Sequence, residues 1–453
     1  MLSFEKNANA TPIELVYKTD FSGWSTHQPE KVRNLVERAE FSGAANRYIE
    51  ITDEAGRLER VIAGIGNEPT HKSLGALPNA LPHGAYTIEH PPSEGIYELA
   101  LGWGLGSYRF TTYRPNDQSD PRVLHLDSSH QSVQDEVDTI GLVRDLINTP
   151  ASDMLPHHLE AEVRRVANRH RADLNVVLDK ELLKRGFRTI YTVGQASASE
   201  PRLMDLTWGN ENDPKLTILG KGVCFDSGGL DLKTATGMRS MKKDMGGAAT
   251  ALGLADLVMR RQLPVRLRLL IPAVENAVSG NAYRPGDVIR TYKGLSVEVG
   301  NTDAEGRLIL CDALALASEE KPELMVDFAT LTGAARSAVG TEISAMFANN
   351  DAVASGIEDA AKELDDPVCR LPLYKGYRPG LRSPVADLCN IANFPEGGAI
   401  TAALFLEAFV DTTRWVHYDI NAFNSKSRPA HPIGGEAMGL RATYRYLEQS
   451  FKR

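Results

Sequence analysis

The stretch Asn301-Thr302-Asp303-Ala304-Glu305-Gly306-Arg307-Leu308 sets two carboxylates and a guanidinium at alternate positions. In an extended conformation all three side chains leave one face, which is the geometry of a site. Behind them Leu308, Leu310, Ala313, Leu314, Leu316 and Ala317 recur at a helical period, and Glu319-Glu320-Lys321-Pro322 ends the run. The acidic group therefore belongs to a strand-to-helix junction, where α/β proteins place their ligands. Taken alone, Asp303 and Glu305 read more simply as helix caps.

A second segment, 216–247, overturns that simpler reading. An apolar strand leads into Gly220-Lys221-Gly222, followed by Asp226, the pair Gly228-Gly229, Lys233, and Asp244 at a helix start. The Gly-Lys pair lacks the full P-loop spacing, so the glycines point to close backbone approach rather than a phosphate cradle. With Asp303 and Glu305, the two segments offer four carboxylates to one end of a sheet. Crowded carboxylates repel and protonate unless cations neutralise them, and two divalent ions balance four such groups one for one. Oxygen ligands shared by two metals are the usual layout for metal-assisted hydrolysis. None of the eleven histidines lies in either segment and no HExxH occurs, so the expected metal site is dominated by carboxylates.

Positioning such a site falls to the alternation of elements around it. A helix over about 130–148, ended by Asn148-Thr149-Pro150, precedes strands near 216–224, 264–274, 324–329 and 414–420. Helices near 245–261, after Arg307, near 399–411 and near 435–450 lie between and after them. The fold expected is α/β: a small N-terminal α/β domain, then a larger α/β catalytic domain with a mixed, mostly parallel sheet flanked by helices. The boundaries expected are 1–128 for the first domain with its linker (115–128, PNDQSDPRVLHLDS) and 129–453 for the second. Within the first, 47–52 and 97–101 are short alternating runs read as strands, and Gly102, Gly104 and Gly106 read as tight turns.

Hydrophobic content of 42% and charged content of 24% are those of an ordinary globular protein. The first twenty residues contain no apolar core of signal-peptide length, and no later stretch is long enough to span a membrane, so a cytoplasmic protein is expected. Cys224, Cys311, Cys369 and Cys389 show no paired spacing and read as small apolar residues. A formal charge of −9 argues against nucleic acid as a partner. The one basic cluster, Arg164, Arg165, Arg169, His170 and Arg171, reads as a solvated helix face.

The segments GKGVCFDSGG (220–229), MKKDMGG (241–247) and NTDAEGRL (301–308) resemble the signature blocks of the leucyl aminopeptidase family, the two-metal cytosol aminopeptidases. RDLINTPAS (144–152), VGQAS (193–197), RPGDVI (284–289), ATLTGA (329–334), VADLCN (385–390) and GGAITAALFLEAFV (397–410) agree in unbroken order, so the likeness spans about 141–445. It implies two divalent metal ions per subunit, zinc or manganese. Lys221, Asp226, Asp244 and Glu305 would bind the tighter one. Asp226, Asp303 and Glu305 would bind the exchangeable one, with the Asp303 carbonyl adding a ligand. A metal-ligating Lys221 must be neutral and so have a lowered pKa. The resemblance further implies Lys233 as the protonated electrophile, and Arg307 as holder of a bicarbonate that takes a proton from a bridging water. Peptides with a free N-terminus would be the substrates, and a homohexamer the assembly.

Two departures stand out. The family usually reads Lys-Pro where this chain has Lys233-Thr234, which is expected to loosen the loop that aims Lys233. In WVHYDINAFN (415–424), Asn421 and Asn424 would join Met241, Thr330 and Gly333 around the substrate's first side chain, so a broader or more polar first-residue specificity is expected. A two-metal phosphoesterase and a binding protein without catalysis are the competing readings.

Overall fold

The computed structural model describes residues 1–114, 121–412 and 414–452. By contacts the chain divides into two compact units, one of residues 1–141 with 424–433, the other of 142–423 with 434–453.

The first unit is built on a six-stranded sheet in the order Leu2–Ser3, Arg122–His125, Gly84–Glu89, Thr11–Tyr17, Leu58–Gly66, Tyr48–Thr52. Only the last pair is antiparallel. The helix Glu30–Arg38 buries Val32 and Val36, four apart, in a cluster with Val16, Phe41, Ile49, Ile51 and Ile62. Residues 97–101 are a correction: they lie in the helix Ile96–Gly106, whose almost wholly buried sequence gives neither period a polar face to mark it. Its glycines are not turns either. A Cβ on Gly102 would fall 2.0 Å from the His71 carbonyl oxygen, and one on Gly106 the same distance from that of Gly75, so they admit backbone against the helix. Of the stretch read as a linker, 115–120 lies outside the described residues, and Arg122–His125 is a strand of this sheet.

The second unit carries a nine-stranded sheet. Its four central strands, Trp415–Asp419, Leu324–Ala329, Lys215–Gly220 and Arg266–Asn276, are mutually parallel. Antiparallel neighbours, Ser344–Ala348 on one side and Arg202–Trp208 on the other, make the sheet mixed. The strand Leu324–Ala329 is buried throughout, as a parallel strand covered on both faces should be. The helix Gly246–Arg260 is buried over residues 246–259, its alanines and glycines allowing close packing. The short strand Gly222–Asp226 continues beyond Lys215–Gly220 and pairs with the far end of Arg266–Asn276. Gly220, Asp226, Asn276, Ala329 and Asp419 thus all stand at carboxyl ends of parallel strands, the edge where such sheets bind ligands.

Candidate metal centre and its cavity

Lys221 follows Gly220, and its amide donates to the Phe328 carbonyl of the adjacent strand at 3.0 Å. The residue is 2% exposed. Its Nζ stands 2.8 Å from Asp244 Oδ2 and 2.9 Å from Glu305 Oε1, and donates to the Thr330 carbonyl at 2.7 Å. A Cβ on Gly306 would lie 2.5 Å from Lys221 Cε, so glycine there lets the helix approach the lysine stem. Asp226 Oδ1 accepts from the Gly228 amide and Asn276 Nδ2, both at 2.9 Å, while Oδ2 faces Lys233 Nζ at 2.7 Å. The same Nζ contacts Asp303 Oδ1. Asp244 lies in a 3-10 turn, Met241–Met245, and its Oδ1 accepts from Thr330 Oγ1 at 2.8 Å.

The run 301–308 is not extended, which corrects the one-face expectation. Asp303 sits in a turn and the helix Glu305–Glu319 has already begun at Glu305, so Glu305 and Arg307 project around a helix rather than to one side of a strand. The turn is shaped by Asn390, whose Oδ1 accepts from the amides of Gly300 and Asn301 and whose Nδ2 donates to the Asn301 carbonyl.

Asp226, Asp244 and Glu305 each offer an oxygen within 4.8 Å of the others, and all three are buried. Apart from the Lys221 ion pairs, both Glu305 oxygens and Asp244 Oδ2 lack a hydrogen-bond donor. Burial first, then the charges of Asp226 and Asp244, push Glu305 up to about 8. Asp244 and Asp303 are raised as well, by burial and then by Asp226. Burial opposes the charge on Lys221, but Asp244, Glu305 and Asp226 outweigh it, so its pKa lies above the ordinary lysine value. The direction is opposite to that required of a neutral ligand. Among protein groups alone Lys221 is the counter-charge, and only cations set among the same carboxylates would reverse it. Oxygen-rich, under-bonded and with raised carboxyl pKa values, the cluster fits divalent ions. Lys233 is likewise raised, burial being outweighed by Asp226 and Asp303.

A cavity of about 630 Å³ opens beside the cluster. Lys221, Asp226, Lys233, Asp244 and Asp303 are among its lining residues, and so are Met241, Thr330, Gly333 and Asn421. Glu305 and Arg307 do not reach its lining. Arg307 is buried, donates from Nη1 to the Asn390 carbonyl at 2.7 Å, and has no acceptor for Nε; burial lowers it to about 10. Asn424 is engaged elsewhere, which corrects its expected place: its Nδ2 donates to the Pro432 carbonyl and its Oδ1 accepts from Arg428. Thr234 caps the short helix Ala235–Met238, its Oγ1 accepting from the Gly237 amide, so a side-chain bond stands where the resemblance led to an expectation of proline. Lys243, Arg336 and Asp419 also line the cavity and were not expected. Lys243 carried a signal in the block MKKDMGG, where it precedes Asp244.

The description "Cytosol aminopeptidase family, catalytic domain" fits residues 141–444, and "M17 aminopeptidase, N-terminal domain" fits 11–125. The chain belongs to the cytosol aminopeptidase family. A probable cytosol aminopeptidase of Geobacter sulfurreducens is 35% identical over 455 residues, covering 93% of this chain and 91% of the relative. Among solved structures, the cytosol aminopeptidase from Coxiella burnetii matches with a TM-score of 0.94 at 47% identity, over 100% of this chain and 99% of the other. The bottromycin maturation enzyme BotP in complex with Mn matches with a TM-score of 0.88 at 30% identity, over 98% and 100%. The chain is therefore a peptidase of metal-dependent, amino-terminal type, which sets the phosphoesterase alternative aside. In this aminopeptidase no helix among the described residues is long and apolar enough to cross a membrane.

Proposed function

We propose that this aminopeptidase releases single residues from free peptide amino termini using two divalent cations, zinc or manganese, held by Lys221, Asp226, Asp244, Asp303 and Glu305. The buried group of Asp226, Asp244 and Glu305, with oxygens that no donor satisfies, carries this reading. Bound there, the cations would supply Lewis acidity and a lowered pKa for water. Lys233, held protonated between Asp226 and Asp303, presents its N–H groups to the scissile carbonyl oxygen as negative charge develops. Arg307 Nε, a buried donor without an acceptor, is the group offered to bicarbonate, which would take the proton. The carboxylates give a peptide's free amine its place, which makes the activity exopeptidic. Asn421, beside Met241, Thr330 and Gly333, makes the first-residue wall more polar than aliphatic lining would. Assembly as a homohexamer belongs to the same reading, and light scattering in solution tests it.

The deciding experiment is hydrolysis of aminoacyl p-nitroanilides by chelator-treated protein with zinc or manganese restored, beside Lys233→Ala and an N-acetylated substrate. Release that needs the metal, stops on acetylation and drops about 10²–10³-fold in the variant supports the proposal. Metal-independent release, or turnover of the acetylated substrate, overturns it.

A further inference from the structure

Four cations line the cavity, and only two of them are matched by carboxylates. We propose that the other two, Lys243 and Arg336, form a subsite for a carboxylate, so that the enzyme prefers amino-terminal aspartate or glutamate to leucine. The proposal rests on the aminopeptidase reading above and names its substrate class.

Lys221 is committed to Asp244 and Glu305, and Lys233 to Asp226 and Asp303. The remaining acid of the lining, Asp419, is spent on its own loop. It accepts from the amides of Leu331 at 3.0 Å and Thr332 at 3.1 Å, and from Thr332 Oγ1 at 2.6 Å. Lys243 is 7% exposed, yet its Nζ donates only to the Asn421 carbonyl at 2.8 Å and Asn421 Oδ1 at 3.1 Å, both neutral oxygens. An ammonium has three N–H donors, so one remains for a ligand. Arg336 stands on the exposed face of the helix Gly333–Val339 and makes no side-chain hydrogen bond or ion pair among the described residues. A buried ammonium hydrogen-bonded to no carboxylate is costly, and a second cation in the same lining adds repulsion. A substrate carboxylate placed between them relieves both, and the guanidinium can grip it with two parallel bonds.

The lining of the cavity thus carries both signs of charge. The carboxylates are there for the peptide amine, while Lys243 is bonded to Asn421, one of the residues expected around the first side chain, and Arg336 shares that lining. Leu331 and Ile420 supply apolar surface for that side chain's methylene groups. A pocket built to bond a polar group rejects the analogue that lacks it, so the neutral isosteres asparagine and glutamine are the informative competitors.

The test compares kcat/KM of the metal-loaded enzyme for Glu, Gln, Asp, Asn and Leu p-nitroanilides. Expected is a tenfold or larger advantage of Glu over Gln or of Asp over Asn, falling toward one in Arg336→Ala and Lys243→Met through KM of the acidic substrate. Arg336→Glu should shift preference toward first-residue lysine. Arg336 is on the surface, so its variants decide the matter even where Lys243→Met fails to fold. Leucine preferred over both acids, with an acid-to-amide ratio indifferent to Arg336→Ala, overturns the subsite. Hydrolysis of no substrate with any metal would instead defeat the aminopeptidase reading. Calorimetric titration with free L-glutamate and L-glutamine then still judges the subsite: tenfold tighter glutamate supports it, and equal affinities overturn it.

Discussion

Lys221 and Lys243 are buried to nearly the same degree, and their pKa values move in opposite directions. Lys221 is surrounded by Asp244, Glu305 and Asp226, which more than repay its desolvation. Around Lys243 burial dominates, the charge of Asp244 repays only part of it, and the pKa is pushed down to about 8. Burial sets the cost of a charge, and the neighbours decide whether it is met. One lysine is therefore a counter-charge that divalent ions can supplant, while the other lacks an anion within hydrogen-bonding reach.

The comparison breaks most visibly at Lys221. Lys221→Met leaves Asp244 and Glu305 facing one another with their counter-charge gone, and losing one partner of a buried pair costs about 3–5 kcal/mol. Chelator-treated variant should lose stability of that order in urea unfolding at pH 7.5 and regain part of it with manganese or zinc, and the metal-restored variant should turn over about 10³-fold more slowly than the metal-restored parent. A variant as stable as the parent in chelator would mean that Lys221 is no counter-charge.

The framework around these lysines was largely legible in advance. The strand expected at 324–329 is observed over those residues, and the helices near 245–261 and after Arg307 are present, because long apolar runs bounded by glycine, proline or charge leave little choice. Two features were hidden. Alternation at 301–308 concealed the start of a helix, since a buried helix end crowded with functional groups need not show an apolar period. The glycines of Ile96–Gly106 serve tertiary approach, which no local pattern encodes. Within the site, the carboxylates announced themselves by type and glycine context. Lys243 showed only as the neighbour of Asp244 in MKKDMGG, and Arg336 not at all, because an isolated arginine on a helical stretch looks like any solvated cation until the cavity beside it is known.

Lys243→Met sharpens the same comparison through pH. A lysine whose folded pKa is lowered, here from 10.5 to about 8, costs stability at low pH and stops costing it as pH climbs from about 8 to 10.5, where only the unfolded chain holds the proton. Wild-type stability should gain on the order of 2–3 kcal/mol over that window relative to the methionine variant, which has no such group. Below pH 8 the variant should be the more stable, less whatever the Asn421 oxygens lose when their donor is removed. Urea midpoints of both proteins at pH 7, 8.5 and 10 measure the difference, and a constant gap would show that Lys243 is not a strained charge.

The smallest effect is expected at Thr234, beside the third lysine of the cavity. Thr234 has φ −63° and ψ 155°, a backbone conformation proline adopts without strain. Thr234→Pro forfeits the Oγ1 cap on the Gly237 amide, typically about 1 kcal/mol, and recovers about 0.4–1 kcal/mol by restricting the unfolded chain. Lys233 itself is aimed by Asp226 and Asp303 and by its amide bond to the Ser227 carbonyl at 2.9 Å, none of which residue 234 supplies. Turnover should accordingly change by less than about twofold, equivalent to about 0.4 kcal/mol in the barrier. A tenfold rise would show instead that the threonine leaves Lys233 poorly aimed, and that ion pairs with two carboxylates are not enough to hold a catalytic lysine in place.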